Sequence, residues 1–292
     1  RGGETMTVLV VGGTGTVGSR AVLRLADRDV RVRVLSRSPE RLIELPRGVE
    51  GVVGDLEVPE SLFDVFRGID RVFLVTPLSE SEVVLGRNAA RAAAHADVEH
   101  LVYLSVHDVE TGDRIPHFRS KIEIERVLQE NGVPTSLVMP NNFFQNDLWL
   151  RTAIAEQGIY PQPIGASTCL SRVDAGDIAE AAIRLLVGDR EPGARIPVVG
   201  PDCLNGPEVA RIWSRHLGRE VTYAGDDLES WGNAMSERMP DWMIEDLKTM
   251  YAFYQQHGLS ASPEDLEATR EILGREPRSF AEWVRETAAG WS

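Results

Sequence analysis

The sequence predicts an α/β fold in which a doubly wound parallel sheet occupies the first half and a smaller, mainly helical domain follows. Three observations lead to this prediction. Short β-branched runs alternate with helical stretches up to about residue 139, which is typical of a parallel sheet covered on both faces. A glycine-rich segment follows the first run directly. After Met139 the alternation stops and a polar, aromatic loop begins.

Strands and helices can be assigned in order along the alternating half. The runs interpreted as strands are 7–11, 30–35, 51–53, 71–75, 100–104 and 135–139. Helical stretches begin between them near Gly15, Pro39, Pro59, Ser81 and His117. Since connections between parallel strands are right-handed, we expect the strand order 3-2-1-4-5-6.

The second half has a different organisation. A helical stretch over 147–157 precedes a passage rich in glycine and proline over 158–167. A helix with Asp177 as its N-cap is expected to pack back on the sheet, and a short strand follows over 195–199. We therefore place a first domain over 6–150, with part of 173–200 packed on it, and a smaller domain over 151–292.

Composition excludes several classes of protein. The net charge of −14 argues against a nucleic-acid partner, because no basic block compensates it. No apolar run reaches the ~18 residues that a membrane helix needs. The opening residues, of which 1–5 are left out of the fold prediction, lack the apolar stretch of a signal peptide. Cys169 and Cys203 have no metal-binding spacing, so we expect inert thiols in a cytoplasmic protein. The sequence is compatible with a homodimer and does not determine the oligomeric state.

The glycine-rich segment is typical of a phosphate site. Gly12 permits a tight turn, Gly15 lets backbone approach a pyrophosphate, and Gly18 allows close contact between helix and strand. Exposed N–H groups and the positive end of the helix then hold the phosphates. The expected phosphate site comprises Gly12, Thr14, Gly15, Thr16, Val17 and Gly18. The first domain is therefore predicted to be a Rossmann-type dinucleotide-binding domain.

The end of the second strand indicates which dinucleotide binds. An NAD site usually has an acidic residue there for the ribose 2′-hydroxyl, but this strand ends in Ser36 and Arg37. An arginine can bind a 2′-phosphate through charge-assisted contacts, so we expect NADP(H) to be preferred over NAD(H). In the alternative interpretation, Arg37 and Arg41 are merely exposed charges. Asp55, followed by Leu56, suits the adenine amino group.

With these residues the chain resembles the NmrA-like family of atypical short-chain dehydrogenases, from Met6 almost to the C-terminus. The segments that carry the resemblance are 12–18, 55–56, 140–146, 173–179 and 273–280. One departure is Met139, which stands where many relatives have arginine. The resemblance implies that Thr76, Pro77, Pro140, Asn142 and Phe143 flank the nicotinamide.

The resemblance also implies three catalytic positions. Ser105 ends the fifth strand, at the usual serine position, and Lys121 is the lysine expected to bind the nicotinamide ribose. Histidine occupies the tyrosine position, four residues earlier, at His117. His117 could act as general acid because imidazole titrates near neutral pH, or it could be an ordinary residue of the helix N-terminus. In that second case water would supply the proton.

These residues favour an NADPH-dependent reductase that acts on a quinone, an enone or a similar small electrophile, with the smaller domain as substrate domain or lid. The missing tyrosine keeps an alternative open, a non-catalytic NADP(H) sensor that acts through a partner protein. It also argues against a sugar epimerase. A stripe of Trp, Met and Tyr at helical spacing over 231–254 is either core or the wall of a flat substrate pocket. The acidic and histidine clusters at 95–100 and 226–227 lack ligand spacing, so no metal is expected.

Overall fold

A computed structural model describes residues 5–188 and 190–291 and divides the chain into two compact units. The first unit comprises the chain up to Val106 together with Ser120–Met139 and Ala175–Ile196. The second comprises His107–Arg119, Pro140–Asp174 and the chain from Pro197 onward. Most of residues 1–5, which the fold prediction leaves out, lie outside the described residues.

The sheet confirms the predicted α/β class and strand order. Its strands are β1 (Thr7–Val11), β2 (Arg31–Ser36), β3 (Glu50–Val53), β4 (Arg71–Leu74), β5 (His100–Leu104), β6 (Thr135–Pro140) and, numbered β8 along the chain, Arg195–Val198. The order is β3-β2-β1-β4-β5-β6-β8, and the first six strands pair in parallel. A separate two-stranded sheet joins β7 (Ile159–Tyr160) and β9 (Thr222–Tyr223).

The helices follow the predicted positions with three differences. They are α1 (Gly18–Ala26), α2 (Pro59–Phe66), α3 (Glu82–His95), α4 (Pro116–Glu130), α5 (Ala175–Val187), α6 (Gly206–Leu217), α7 (Leu228–Met235), α8 (Asp241–His257), α9 (Pro263–Leu273) and α10 (Phe280–Ala289). The stretch that begins at Pro39 is only a four-residue 3-10 turn. The predicted helix over 147–157 is instead a 3-10 helix, Phe144–Leu150, followed by a π-helix, Thr152–Gln157. The N-cap prediction for Asp177 is wrong, because α5 begins two residues earlier and Asp177 is buried in its first turn.

The core of the first unit explains why its strands are continuous apolar runs. Val8, Leu9 and Val10 of β1 are all fully buried, as expected for a parallel strand covered on both faces. The buried face of α1, which includes Ala21 and Leu25, packs against α5. This packing holds the β1–α1 connection in place.

The second unit is mainly helical, with an aromatic and partly ionic core. The indole of Trp213 in α6 is fully buried and stacks on Trp291 at 4.6 Å between ring centroids. Its Nε1 donates to Asp147, which also forms a buried ion pair with Arg172 at 2.8 Å. Within residues 5–188 and 190–291, no helix is both long and apolar enough to cross a membrane.

The two cysteines differ from the expectation of separate inert thiols. Cys169 and Cys203 form a disulfide within the second unit. They meet because Leu170 and Leu204, the residues that follow them, pair in an antiparallel bridge with mutual backbone hydrogen bonds. A separation of 34 residues gives no hint of such a pairing, which depends on how the loops are arranged.

Candidate functional site

The β1–α1 connection forms a tight glycine turn that leads directly into α1. Gly12 adopts φ +78°, a left-handed conformation, and its carbonyl accepts from the N–H of Gly15 at 3.0 Å. Gly15 and Thr16 are exposed. Val17, at the N-cap of α1, supplies no side-chain cap. The first turn of α1 therefore presents uncapped donors and a positive helix end.

A cavity of about 320 Å³ lies in the first unit, at the carboxyl ends of its central strands. Its lining includes nine of the residues predicted to bind the cofactor: Gly12, Thr14, Gly15, Ser36, Arg37, Asp55, Leu56, Thr76 and Pro77. Val11, Leu35, Ser38, Arg41, Gly54, Val75 and Leu85 complete it. Thr16, Val17 and Gly18 belong to the turn but do not line the cavity, and Val17 and Gly18 are buried beneath it. A ligand that extends across the carboxyl ends of β1, β2 and β4 would fit this cavity.

Two arginines that follow β2, Arg37 and Arg41, line the cavity, whereas Arg33 on the strand itself does not. Arg33 on β2 is bound by Glu50 at 2.9 Å and donates to the carbonyl of Val65. Arg37 and Arg41 are exposed, and within the described residues neither has an ion-pair partner. Two exposed guanidinium groups, one directly after β2 and one in the 3-10 turn that follows, are suited to an anionic ligand group.

Asp55 lies at the opposite wall, after β3. Its Oδ1 accepts from the backbone N–H of Glu57 at 2.9 Å, which fixes the side chain at the cavity. Leu56 is buried beside it, and its carbonyl accepts from Asn88 at 2.7 Å. The aspartate thus offers a second carboxylate oxygen to a donor such as an exocyclic amine.

Lys121 does not line the cavity but binds a residue that does. Its Nζ lies 2.7 Å from Oε1 of Glu82 and donates to Thr76 Oγ1 at 3.1 Å. Thr76 in turn donates to Glu82 at 2.6 Å and lies 3.3 Å from the hydroxyl of Tyr103. We call these four side chains the lysine cluster. Glu82 and Tyr103 were missed by sequence reasoning, because nothing local distinguishes an acid in the first turn of a helix from a solvated one.

Burial shapes the protonation of the lysine cluster. Burial raises the pKa of Tyr103 to about 12, so its hydroxyl stays protonated. Burial alone would lower the pKa of Lys121, but Tyr103 and Glu82 outweigh it, and the pKa lies above its ordinary value. The cluster therefore favours the ammonium form of Lys121.

Ser105 is buried at the end of β5, where its hydroxyl donates to Glu125 of α4. Glu125 also binds Arg195 at 2.8 Å. Ser105 is not part of the cavity lining, and its proton is directed to a carboxylate. Ser105, at the end of β5, therefore lies beside the ion pair that Glu125 of α4 forms with Arg195 of β8.

His117 belongs to the second unit, where it forms a pair that the sequence did not predict. Its Nδ1 donates to Oδ1 of Asp246 at 2.6 Å. Both side chains are largely buried, at 14% and 7% exposure. The carboxylate fixes the ring orientation and leaves Nε2 to act as acceptor or donor. Asp246 lies on α8, inside the aromatic stripe, so only the packing of α8 could reveal it.

The loop after β6 is also held within the second unit. Asn142 accepts from Nε of Arg172 at 3.0 Å, and the carbonyl of Phe143 accepts from its Nη2 at 2.9 Å. The carbonyl of Pro140 accepts from the N–H of His107. Arg172 is 1% exposed, and its pairing with Asp147 makes this anchor rigid.

The aromatic stripe divides into two groups. Trp231, Met250, Tyr251 and Tyr254 are buried, as the core interpretation predicts. Met235, Met239, Trp242, Met243 and Leu247 are half-buried, which a pocket wall would need. Two clusters without metal-ligand spacing have other partners: His100 bonds Ser136, Asp226 accepts from Tyr223, and Asp227 caps α7.

A doubly wound sheet with an open glycine turn and a lined cavity at its strand ends defines a Rossmann-type nucleotide-binding protein. Residues 4–284 match the NmrA-like family. The chain belongs to this family, which confirms the resemblance seen in the sequence.

Characterised relatives extend over nearly the whole chain. It is 34% identical to the NAD(P)H azoreductase of Xenophilus azovorans over 97% of its own length and 99% of that protein. It is 33% identical to the (4-alkanoyl-5-oxo-2,5-dihydrofuran-3-yl)methyl phosphate reductase of Streptomyces griseus, over 98% and 99%. The NADPH-dependent quinone oxidoreductase of Escherichia coli, solved with NADPH, shares the fold with a TM-score of 0.86 at 21% identity, over 96% of this chain and 99% of that one.

Proposed function

We propose that this chain is a reductase that uses NADPH in preference to NADH and transfers hydride to a quinone, an enone or a similar small electrophile. The observation that carries the cofactor choice is the pair Arg37 and Arg41, which line the same cavity as the glycine turn and have no ion-pair partner within the described residues. A ribose 2′-phosphate matches their charge, and no acidic side chain of the lining stands at the end of β2 to bind a free 2′-hydroxyl.

The residues of the cavity fit a dinucleotide. A Cβ on Gly15 would meet one protein atom within 4 Å, the carbonyl oxygen of Gly12 at 3.3 Å. Little protein packing therefore surrounds this glycine, which leaves room for a ligand. Asp55 suits an adenine amino group, and Thr76 and Pro77 also line the cavity, with Thr76 in contact with Lys121.

The names of the relatives support the proposed substrate class. Their names give an azo compound, an oxo-dihydrofuran and a quinone, which share an electron-poor double bond in conjugation. Reduction of such a bond requires a hydride donor, a fixed geometry and a group that balances the developing negative charge. The chain would supply the last two.

Bound NADPH supplies the hydride. Lys121, held as an ammonium by the lysine cluster, would bind the nicotinamide ribose. His117, four residues before it on α4, would hold a proton on Nε2 for the reduced substrate, with Asp246 fixing the ring. Asn142 and Phe143, anchored by Arg172, would flank the nicotinamide.

Titration calorimetry with NADPH and NADH tests the cofactor choice. Arg37→Ala should weaken NADPH binding by about 10- to 150-fold, which corresponds to roughly 1.5–3 kcal/mol for a lost charge-assisted contact, and leave NADH unchanged. Arg47→Ala is the matched control, since it removes an exposed arginine of the same segment that does not line the cavity. Equal affinities for the two cofactors in the unmodified protein would refute the preference.

A panel of azo dyes, quinones and conjugated ketones tests the reaction. We expect oxidation of NADPH with at least one class, and Lys121→Ala should lower turnover by up to about 100-fold by displacing the nicotinamide. A protein that binds NADPH, oxidises it with no member of the panel and changes its association with another protein according to the bound cofactor would instead be a sensor.

A further inference from the structure

Glu82 carries a buried carboxylate to which the proposed reaction assigns no role. It is the first residue of α3 and only 1% exposed. A carboxylate so far from water must be balanced by a cation or pay a large desolvation cost. Its Oε1 meets Thr76 and Lys121, whereas Oε2 is buried and has no hydrogen-bond partner within the described residues. Lys121 is thus the cation that balances its charge.

The Glu82–Lys121 pair contacts the cavity wall through Thr76. Thr76 lines the cavity and touches both members of the pair. Its hydroxyl has one proton, which it donates to Glu82, while its oxygen accepts from Lys121. The position of the ammonium is therefore fixed by Glu82 and Thr76 together, from two elements, α3 and the end of β4.

Residue 121 is a lysine in a chain whose basic residues are almost all arginines. Only two of the 31 basic residues of the chain are lysines, Lys121 and Lys248. Lys248 pairs with Glu229 and Glu245, which are both exposed. Lys121 is 12% exposed and depends on a buried partner. Lysine, unlike arginine, can lose its proton when that partner is removed.

We propose that Glu82 is a positioning residue for Lys121, which keeps the lysine charged and fixed against Thr76 so that it meets the cofactor ribose as a cation. This inference rests on the proposed function. The other titratable group that acts on the ammonium is Tyr103 of β5, which stays protonated. Glu125, one turn further along α4, binds Ser105 and Arg195.

The first test needs no cofactor. In protein labelled with ¹³C at lysine Cε, NMR should show two signals, with Lys248 as internal reference. In the unmodified protein the Lys121 signal should stay in its protonated position up to about pH 10, and in Glu82→Gln it should titrate below the ordinary lysine pKa of about 10.4. Glu82→Asp keeps the carboxylate charge but moves it away from the lysine. The pKa of Lys121 in this variant should therefore lie between its values in the other two proteins. Identical titrations in all three proteins would overturn the proposal.

The second test measures whether the Glu82–Lys121 pair affects the affinity for NADPH. In Glu82→Gln the dissociation constant of NADPH should rise about tenfold per pH unit above the lowered pKa, while the unmodified protein stays flat up to about pH 9.5. A merely structural defect would weaken binding by one factor at every pH. Glu80→Gln, which removes an exposed charge two residues earlier, is the control.

The outcomes separate the two claims. A lowered lysine pKa with pH-independent NADPH binding in the variant would overturn the positioning role toward the cofactor. Failure of the unmodified protein to bind NADPH would overturn the proposed function, and the NMR titration would still decide whether Glu82 controls Lys121. If Glu82→Gln does not fold, the same two measurements on Glu82→Asp decide the proposal.

Discussion

Alanine at Gly15 and at Gly18 should separate the ligand function of the glycine turn from its folding function. A Cβ on Gly18 would lie 2.2 Å from the carbonyl oxygen and 2.7 Å from the carbonyl carbon of Gly12. Both atoms belong to the backbone of the turn, so neither can move without distorting it. At Gly15 the added Cβ would meet one atom, at 3.3 Å, and Gly15 is not among the glycines with positive φ.

The magnitudes follow from these distances. Overpacking costs about 1–3 kcal/mol where side chains can adjust, and a backbone clash belongs at or above the upper end, so Gly18→Ala should lower the free energy of unfolding by about 3 kcal/mol or more. Gly15→Ala should change it by less than about 1 kcal/mol in either direction. Gly15→Val should weaken NADPH binding by about 3 kcal/mol, or about 100-fold, because its side chain would block the approach of the phosphates to the turn.

Urea denaturation measures the first quantity and calorimetric titration the second. Circular dichroism of the Gly15 variants should match that of the unmodified protein. Full-strength binding of NADPH by Gly15→Val would refute the proposed phosphate site, since the phosphates would then lie elsewhere. Equal stability of Gly18→Ala and Gly15→Ala would refute the proposed backbone clash at Gly18.

Two further predictions concern histidines. His117→Phe should lower turnover by about 10²–10⁴-fold if the imidazole donates the proton. Asp246→Asn should lower turnover by about 10- to 100-fold at unchanged NADPH affinity. Unchanged steady-state rates in both variants would show that the pair has only a structural role. Burial, with Arg71 nearby, lowers the pKa of His100 to about 4, so the folded chain keeps the ring neutral where the unfolded chain protonates it. Stability from this site should be complete above about pH 6.5 and fall by up to about 3 kcal/mol as the pH drops toward 4. His100→Gln should reduce this loss in urea titrations near pH 7.5 and pH 5, whereas the exposed control His95→Gln should not; equal acid sensitivity of both variants would contradict it.

The cofactor end of the site could be predicted because its signals are local. Gly12 and Gly15 follow an apolar strand directly, and Arg37 and Asp55 follow the next two strands. In a parallel sheet the carboxyl ends of neighbouring strands meet at one edge, so sequence order alone brings these residues together. The strand order followed from the handedness of the connections for the same reason.

The ionic partners could not be predicted, because each depends on contacts between distant segments. Asp246 reaches His117 across 129 positions, and Glu82 reaches Lys121 across two elements. The disulfide was missed for the same reason. The failed N-cap at Asp177 has a different cause: an acid suits the first turn of a helix as well as its cap, and composition alone cannot tell these positions apart.

The discontinuity of the first unit has a consequence for biosynthesis. The apolar face of α1 is covered by α5, which follows it by roughly 150 residues. Chains are synthesised from the N-terminus, so the nucleotide-binding strands leave the ribosome long before the helix that shields them. Contacts so distant along the chain also close slowly. We therefore expect the nascent first half to carry an uncovered apolar helix face, and to need protection from aggregation until Ala175–Ile196 has emerged.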